Sequence, residues 1–114
     1  MFQNSFFTIM IADMDRAIAF YTETLGLRLE SRYENEWAEV VGAGARIGLH
    51  GGGEGNNATR ALSLGFGVAD LDAAMADLKA QGVEFGRVSE DGPVRIARFS
   101  DPDGTPLYLV QELH

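Results

Sequence analysis

One phrase of this chain occurs twice. Asp13-Met14-Asp15-Arg16-Ala17-Ile18-Ala19-Phe20-Tyr21, closed by Leu25-Gly26-Leu27, returns as Asp70-Leu71-Asp72-Ala73-Ala74-Met75-Ala76-Asp77-Leu78, closed by Gly82-Val83. Asp13 and Asp70 are 57 positions apart (70 − 13), as are Met14 and Leu71, Asp15 and Asp72, and Ala17 and Ala74. Downstream, Gly44-Ala45-Arg46-Ile47-Gly48-Leu49 is answered by Gly104-Thr105-Pro106-Leu107-Tyr108-Leu109. A period of half the 114-residue length makes each copy one supersecondary unit, and neither copy alone buries much surface. The expectation is a single domain, 1–114, of two modules (1–50 and 61–114) joined by a linker at 51–60.

Composition narrows the partners. An apolar fraction of 46% with 23% charged residues is that of an ordinary globular protein. No run reaches the length of a membrane span, and Met1-Phe2-Gln3-Asn4 has no basic stretch leading into an apolar one, so no membrane partner and a cytoplasmic location are expected. The net charge of −8 repels phosphate backbones, which argues against nucleic acid and biases the approach of cations. With no cysteine, disulfides, thiolate metal sites and a cysteine nucleophile are excluded.

Local signals give the same element order in both copies. Residues 5–12 read as a strand, Asp13 as a helix N-cap, and Gly26 as the left-handed residue that stops the helix. Strands follow at 27–33, 37–41 and 45–50. In the second copy a strand at 61–68, a helix from Asp70 to Gln81, and strands at 83–88, 94–99 and 107–111 repeat the order. The fold class is therefore α+β, two βαβββ modules in tandem. Gly51-Gly52-Gly53-Glu54-Gly55 lacks the Gly-Lys-Ser/Thr of a phosphate loop and reads as a flexible linker. Asp101-Pro102-Asp103-Gly104 lacks the further oxygens of a calcium loop and reads as a turn.

Asp13-Met14-Asp15-Arg16-Ala17-Ile18-Ala19-Phe20-Tyr21 with Leu25-Gly26-Leu27, and Phe99-Ser100-Asp101-Pro102-Asp103-Gly104 with the strand after it, resemble the signatures of the vicinal oxygen chelate superfamily (glyoxalase I, bleomycin resistance proteins and extradiol dioxygenases). The resemblance covers nearly the whole chain. It implies that the two modules form a curved mixed sheet around a cleft. Metal-binding members of that superfamily carry one ligand on the first and one on the last strand of each module. Those positions fall here on Phe6, Gly48, Ser63 and Tyr108, none of which supplies the imidazole or carboxylate a divalent site needs. The expectation is therefore no metal and no cofactor. A displaced site drawn from His50, Glu39, Glu112 and His114 is a lesser alternative.

The inward parity implied by the resemblance turns Phe6, Thr8, Met10, Gly48, His50, Ser63, Gly65, Gly67 and Tyr108 to the cleft, with Trp37 and Glu39 as further candidates. The registers of Trp37, Arg95 and Arg98 stay open at this point. Glycines where strands normally carry side chains suggest empty volume. Three functions follow: a metal-free module that binds an apolar or aromatic small molecule, with a positive charge preferred over a negative one; a lyase or isomerase (lactoylglutathione lyase-like or dioxygenase-like) using Glu39, His50 or Tyr108; or an interaction domain without a ligand. Open sheet edges, and the size of family members that pair, predict a homodimer.

Overall fold

Each copy of the repeat opens its helix with a capping aspartate. In the computed structural model, which describes residues 1, 3–58 and 62–113, Asp13 is extended (φ −127°, ψ 109°) and its carboxylate accepts the Arg16 amide at 3.1 Å. Asp70 (φ −135°, ψ 104°) accepts the Ala73 amide at 3.0 Å. Each carboxylate satisfies one of the amides that a helix N-terminus leaves without a backbone partner. Helix α1 (Met14–Ala19) buries Met14 and Ala17, and helix α2 (Leu71–Ala80) buries Leu71 and Met75.

The sequence predicts one helix as far as Gly26, but the regular α geometry ends at Ala19 and a π-helical segment, Phe20–Thr24, continues it. The Leu25 amide donates to the Phe20 carbonyl, five residues back, at 3.0 Å, and the Thr22 hydroxyl donates to the Ile18 carbonyl at 2.7 Å. The wider turn keeps Tyr21 fully buried. Gly26, at φ +78°, then lets the Leu27 amide reach the Tyr21 carbonyl at 2.9 Å, a six-residue span that closes the helix end.

The strands are β1 (Phe7–Met10), β2 (Arg28–Tyr33), β3 (Trp37–Gly42), β4 (Ala45–His50), β5 (Leu64–Gly67), β6 (Ser89–Asp91), β7 (Val94–Ser100) and β8 (Pro106–Glu112). They form two four-stranded sheets of identical topology, β1-β4-β3-β2 and β5-β8-β7-β6. In each sheet the first and last strands of the module pair in parallel and the remaining pairs are antiparallel. The expected α+β fold of two βαβββ modules is the observed one. Phe7 pairs with Ile47 in the first sheet as Leu64 pairs with Leu107 in the second, so the sequence repeat is a structural repeat.

Contacts divide the chain into two compact units, Met1–Asn57 with Pro102–Gly104, and the remainder. Alternation along the strands supplies each core. Ile9, Ile11, Ala38, Val40, Ile47 and Leu49 are buried in the first unit, and Ala97, Phe99, Leu107 and Leu109 in the second. A fully buried aliphatic or phenyl side chain stabilises by roughly 1.5–3 kcal/mol relative to an exposed one, so these rows fix which face of each strand is inward.

Two local expectations are corrected, and the turn expected at 101–104 is present with an added role. Residues 83–88 are not a strand. Val83 is buried and Phe85 packs on Phe99 (ring centroids 5.3 Å apart), while Gly86 donates its amide to the Arg98 carbonyl. Side-chain packing holds this stretch, and ladder pairing begins only at β6. The glycine-rich linker is tied down over its first half: Gly51 donates to the Glu36 carbonyl, Gly53 to that of Ile11 and Asn57 to that of Asp103. Residues 59–61 of the linker and of the strand expected from 61, and His114 of the lesser metal alternative, lie outside the described residues. The turn at 101–104 carries more than a change of direction. Asp103 is fully buried, accepts the Ala12 amide at 3.0 Å and lies 3.6 Å from the Arg16 guanidinium, which anchors β1 to α1.

The edge strand β2 is exposed along its whole length, and its register on β3 shifts between Leu29 and Ser31. A bulge and charged side chains are devices that blunt an edge against further pairing. No described helix is long and apolar enough to cross a membrane.

Candidate functional site

In each sheet one face packs under a helix and the other stays open, and the sequence candidates lie on the open faces. Pairing fixes the registers that the sequence left undetermined. On the first sheet Thr8 and Glu39 flank Gly48, and Met10 and Trp37 flank His50. Partners in a ladder point to the same side, so these six residues share a face. On the second sheet Gly65 and Arg98 flank Tyr108, and Gly67 and Ile96 flank Val110. Arg95, opposite Gln111, points the other way and reaches Asp72 in the first turn of α2 at 3.4 Å.

The open face of the first unit is filled by its own side chains. A Cβ on Gly48 would overlap the Trp37 ring, so the glycine exists to seat the indole. Phe6 meets Trp37 edge-on with centroids 6.1 Å apart, and His50 does so at 6.2 Å. The Arg46 guanidinium lies 5.7 Å from the Phe6 ring centre and donates to both Glu30 and Glu39 at 2.9 Å. The cation-binding face of Phe6 is thus already engaged by Arg46. Glu39 holds an arginine, and the His50 Nδ1 lies 2.9 Å from the Gly51 carbonyl.

The volume expected above three glycines is therefore corrected at two of them. Trp37 occupies the space above Gly48, and the Tyr108 ring occupies that above Gly65. Gly67 alone of the three opens onto space, beside a pocket of about 350 Å³ bounded by Val68, Val110 and Glu112.

The second unit holds another pocket, larger than the one beside Gly67. A pocket of about 560 Å³ is bounded by Leu62, Ser63, Arg98, Ser100, Pro106 and Tyr108. Its size is in the range of small-molecule sites, and it joins an aromatic ring to hydroxyls and one guanidinium. Arg98 Nη1 is 3.2 Å from the Ser89 hydroxyl. Of the sequence candidates, Ser63, Gly65 and Tyr108 belong to this neighbourhood, and Phe6, Thr8, Met10, Trp37, Glu39, Gly48 and His50 to the open face of the first sheet. Leu62, Arg98, Ser100 and Pro106 at the pocket and Arg46 on the first face are residues that sequence reasoning did not assign to a site. Alternation back from Phe99 into the core would have turned Arg98 outward, but Ile96-Ala97 breaks the alternation and leaves the register ambiguous.

The residues at the superfamily's metal positions do not fit a metal. Phe6, Gly48 and Ser63 supply no imidazole or carboxylate, and neither does Tyr108. Among the described residues no group of three or more histidine, cysteine, aspartate or glutamate side chains is arranged to hold an ion.

Comparison with known proteins agrees with the fold. Residues 5–109 match the family described as Glyoxalase/Bleomycin resistance protein/Dioxygenase superfamily. A probable lactoylglutathione lyase of Vibrio parahaemolyticus is 33% identical over 120 aligned residues, covering 90% of this chain and 86% of that protein. The antibiotic-binding protein TnmS3 from Streptomyces sp. CB03234 superposes with a TM-score of 0.75 at 28% identity, covering 98% of this chain and 99% of that one. The fosfomycin resistance protein FosX from Listeria monocytogenes superposes with a TM-score of 0.80 at 21% identity, over 97% and 93% of the two chains.

Proposed function

The chain belongs to the glyoxalase/bleomycin resistance protein/dioxygenase superfamily, and from that premise we propose that it is a small-molecule binding protein working without a metal at the superfamily's usual positions. Its ligand has an apolar or aromatic body that lies against Tyr108 in the second unit. The observation that carries this reading is the pocket of about 560 Å³ beside that ring. The similarity to an antibiotic-binding protein supports it, and so does the absence of metal-donor side chains at positions 6, 48, 63 and 108. A preference for cationic ligands finds no support at this pocket, whose charged side chain is Arg98.

The test is a panel of neutral aromatic compounds screened by thermal shift and by ligand-observed NMR, with and without added divalent cations. Binding that is independent of metal and is weakened by Tyr108→Ala, by about 1–1.5 kcal/mol for a lost aromatic contact, is the expected outcome. Binding that appears only when zinc, nickel or manganese is added would overturn it.

The likeness to probable lactoylglutathione lyases favours a second reading, a lyase using Glu39, His50 or Tyr108. Glu39 is held by Arg46 at 2.9 Å, so its use as a base requires that pair to open. Turnover in a lactoylglutathione lyase assay that is lost in both Glu39→Gln and His50→Gln would select this reading over the first.

The binding reading is completed by a single functional domain of 114 residues, cytoplasmic and acting as a homodimer. Because β2 is blunted as an edge, the dimer contact is proposed away from it; sedimentation of the wild type against a Leu29→Glu variant, which should leave association unchanged, tests both points.

A further inference from the structure

The binding reading leaves the ligand's charge open, and the two modules answer it when matched residue by residue. Glu39 lies opposite Gly48 as Arg98 lies opposite Tyr108, so Glu39 and Arg98 are equivalent positions. Arg46 pairs with Val41 and Pro106 with Ser100, and both Arg46 and Pro106 stand two residues before those matched positions on the last strand. The first unit's acid–arginine pair, Glu39 with Arg46, is thus replaced in the second unit by an arginine and a proline. The cation is kept on a different strand and its acid is gone.

This matters in a chain with 17 acidic and 9 basic side chains, where carboxylates are plentiful. Arg16, Arg32, Arg46 and Arg95 each hold at least one, at 3.6, 2.8, 2.9 and 3.4 Å, while Arg28, Arg87 and Arg98 hold none among the described residues; of these three, Arg98 is the one at a pocket. Among the described residues no carboxylate lies within ion-pair distance of Arg98; the contact found is the neutral Ser89 hydroxyl at 3.2 Å. Arg98 is also the arginine that lines the pocket of about 560 Å³. A guanidinium stays protonated at any working pH and presents a planar fork of donors that matches the paired oxygens of a carboxylate or phosphonate. The hydroxyls of Ser63 and Ser100 border the same opening and add donors that an anion accepts.

We propose that the second unit's pocket selects ligands carrying an anionic oxygen group, a carboxylate or a phosphonate, which Arg98 holds while the ligand's apolar body lies against Tyr108. This rests on the binding reading above and reverses the charge preference that the chain's net −8 suggests. The local cation, and not the distant surface charge, decides what is held once salt screens the latter.

The test uses four probes with one aromatic body: naphthoate, naphthylphosphonate, naphthylmethanol and naphthylmethylammonium, titrated calorimetrically into the full chain. The anions should bind about tenfold more tightly than the alcohol, the gain of a charge-assisted hydrogen bond, and the ammonium more weakly than the alcohol. The two anions separate a carboxylate site from a phosphonate site. Arg98→Gln should bring the anions down to the affinity of the alcohol, which itself should not change. Arg98→Lys should keep part of the preference, and Arg98→Glu should invert it. Arg98 is exposed, so the variants should fold, and unchanged melting temperatures would verify that. Anions binding no better than the alcohol, or keeping their advantage in Arg98→Gln, would overturn the inference alone. Failure of the alcohol and every other probe to bind would overturn the underlying binding reading instead.

Discussion

The two modules have one backbone plan and two different open faces. Strand order, parallel pairing of first and last strands, aspartate caps and glycine helix stops recur in both. The core rows recur too. On the open faces, each module carries one glycine roofed by one aromatic ring, but the partners come from different strands. In the first, β4 supplies Gly48 and β3 supplies Trp37; in the second, β5 supplies Gly65 and β8 supplies Tyr108. Trp37 is hemmed by Phe6 and His50, and the Arg46 pairs complete a filled surface. Tyr108 borders open volume. A repeat conserves what folding requires of each copy and leaves the other face of each sheet to diverge, so the place to look for function is where the copies differ.

The largest effects should fall where the copies agree. Ile47 and Leu107 are 0% and 1% exposed at equivalent ladder positions. Truncation of either to alanine should cost about 2–5 kcal/mol, the transfer of the lost methyl groups plus the cavity left behind. Chemical denaturation of Ile47→Ala and Leu107→Ala should give similar losses. A loss below about 1 kcal/mol at one of them would mean that the repeat is one of sequence and topology but not of packing.

A smaller effect should separate the copies. Alanine at Gly48 drives a methyl group into a tryptophan with rings on both sides, an overpacking that costs roughly 1–3 kcal/mol. Alanine at Gly65 meets the Tyr108 ring, which has the pocket to swing into, and should cost less than about 1 kcal/mol. Trp37 is the single tryptophan of the chain, so its emission reports the first face alone. The emission maximum should move in Gly48→Ala and stay in place in Gly65→Ala. Equal costs at the two sites would remove the distinction between a filled face and an open one.

The agreement between copies was legible in the sequence because it rests on short-range rules. Asp13 and Asp70 cap, Gly26 and Gly82 stop helices at positive φ, and period-two alternation puts Ile47, Leu49, Leu107 and Leu109 inward. The site was less legible, because it depends on which strand lies beside which. Glycine at 48 and 65 reads equally as a void or as a seat for a ring, and only the cross-strand neighbour decides; here the neighbours are Trp37 and Tyr108. Arg98 was hidden by the consecutive apolar residues Ile96 and Ala97, which satisfy either register. The π-helical segment had no sequence signal beyond an ordinary helix, and the burial of Asp103 none beyond an ordinary turn, since its bond to the Ala12 amide joins residues distant along the chain.

The smallest expected difference concerns how each helix begins. Asp13→Ala and Asp70→Ala each remove one side-chain bond to a helix amide, and each should cost about 1 kcal/mol. Helix α2 has a second device, at a place where the first copy carries glycine. Gln111, at the end of β8, accepts the Leu71 amide through its Oε1 at 2.7 Å, and the residue at the matching place on the first sheet is Gly51. Two different amides of α2 are thus held by two different residues, one local and one delivered by the sheet. Gln111→Ala should therefore destabilise by a further 0.5–1.5 kcal/mol, about the value of one partly buried hydrogen bond. Because Asp70 and Gln111 serve separate amides, the double variant should lose roughly the sum of the two. Hydrogen exchange at Leu71 and Ala73 resolves the contributions: Gln111→Ala should deprotect the first amide and Asp70→Ala the second. A Gln111→Ala protein as stable as wild type, with Leu71 still protected, would show that the two helices start by the same means and that the copies diverge only on their open faces.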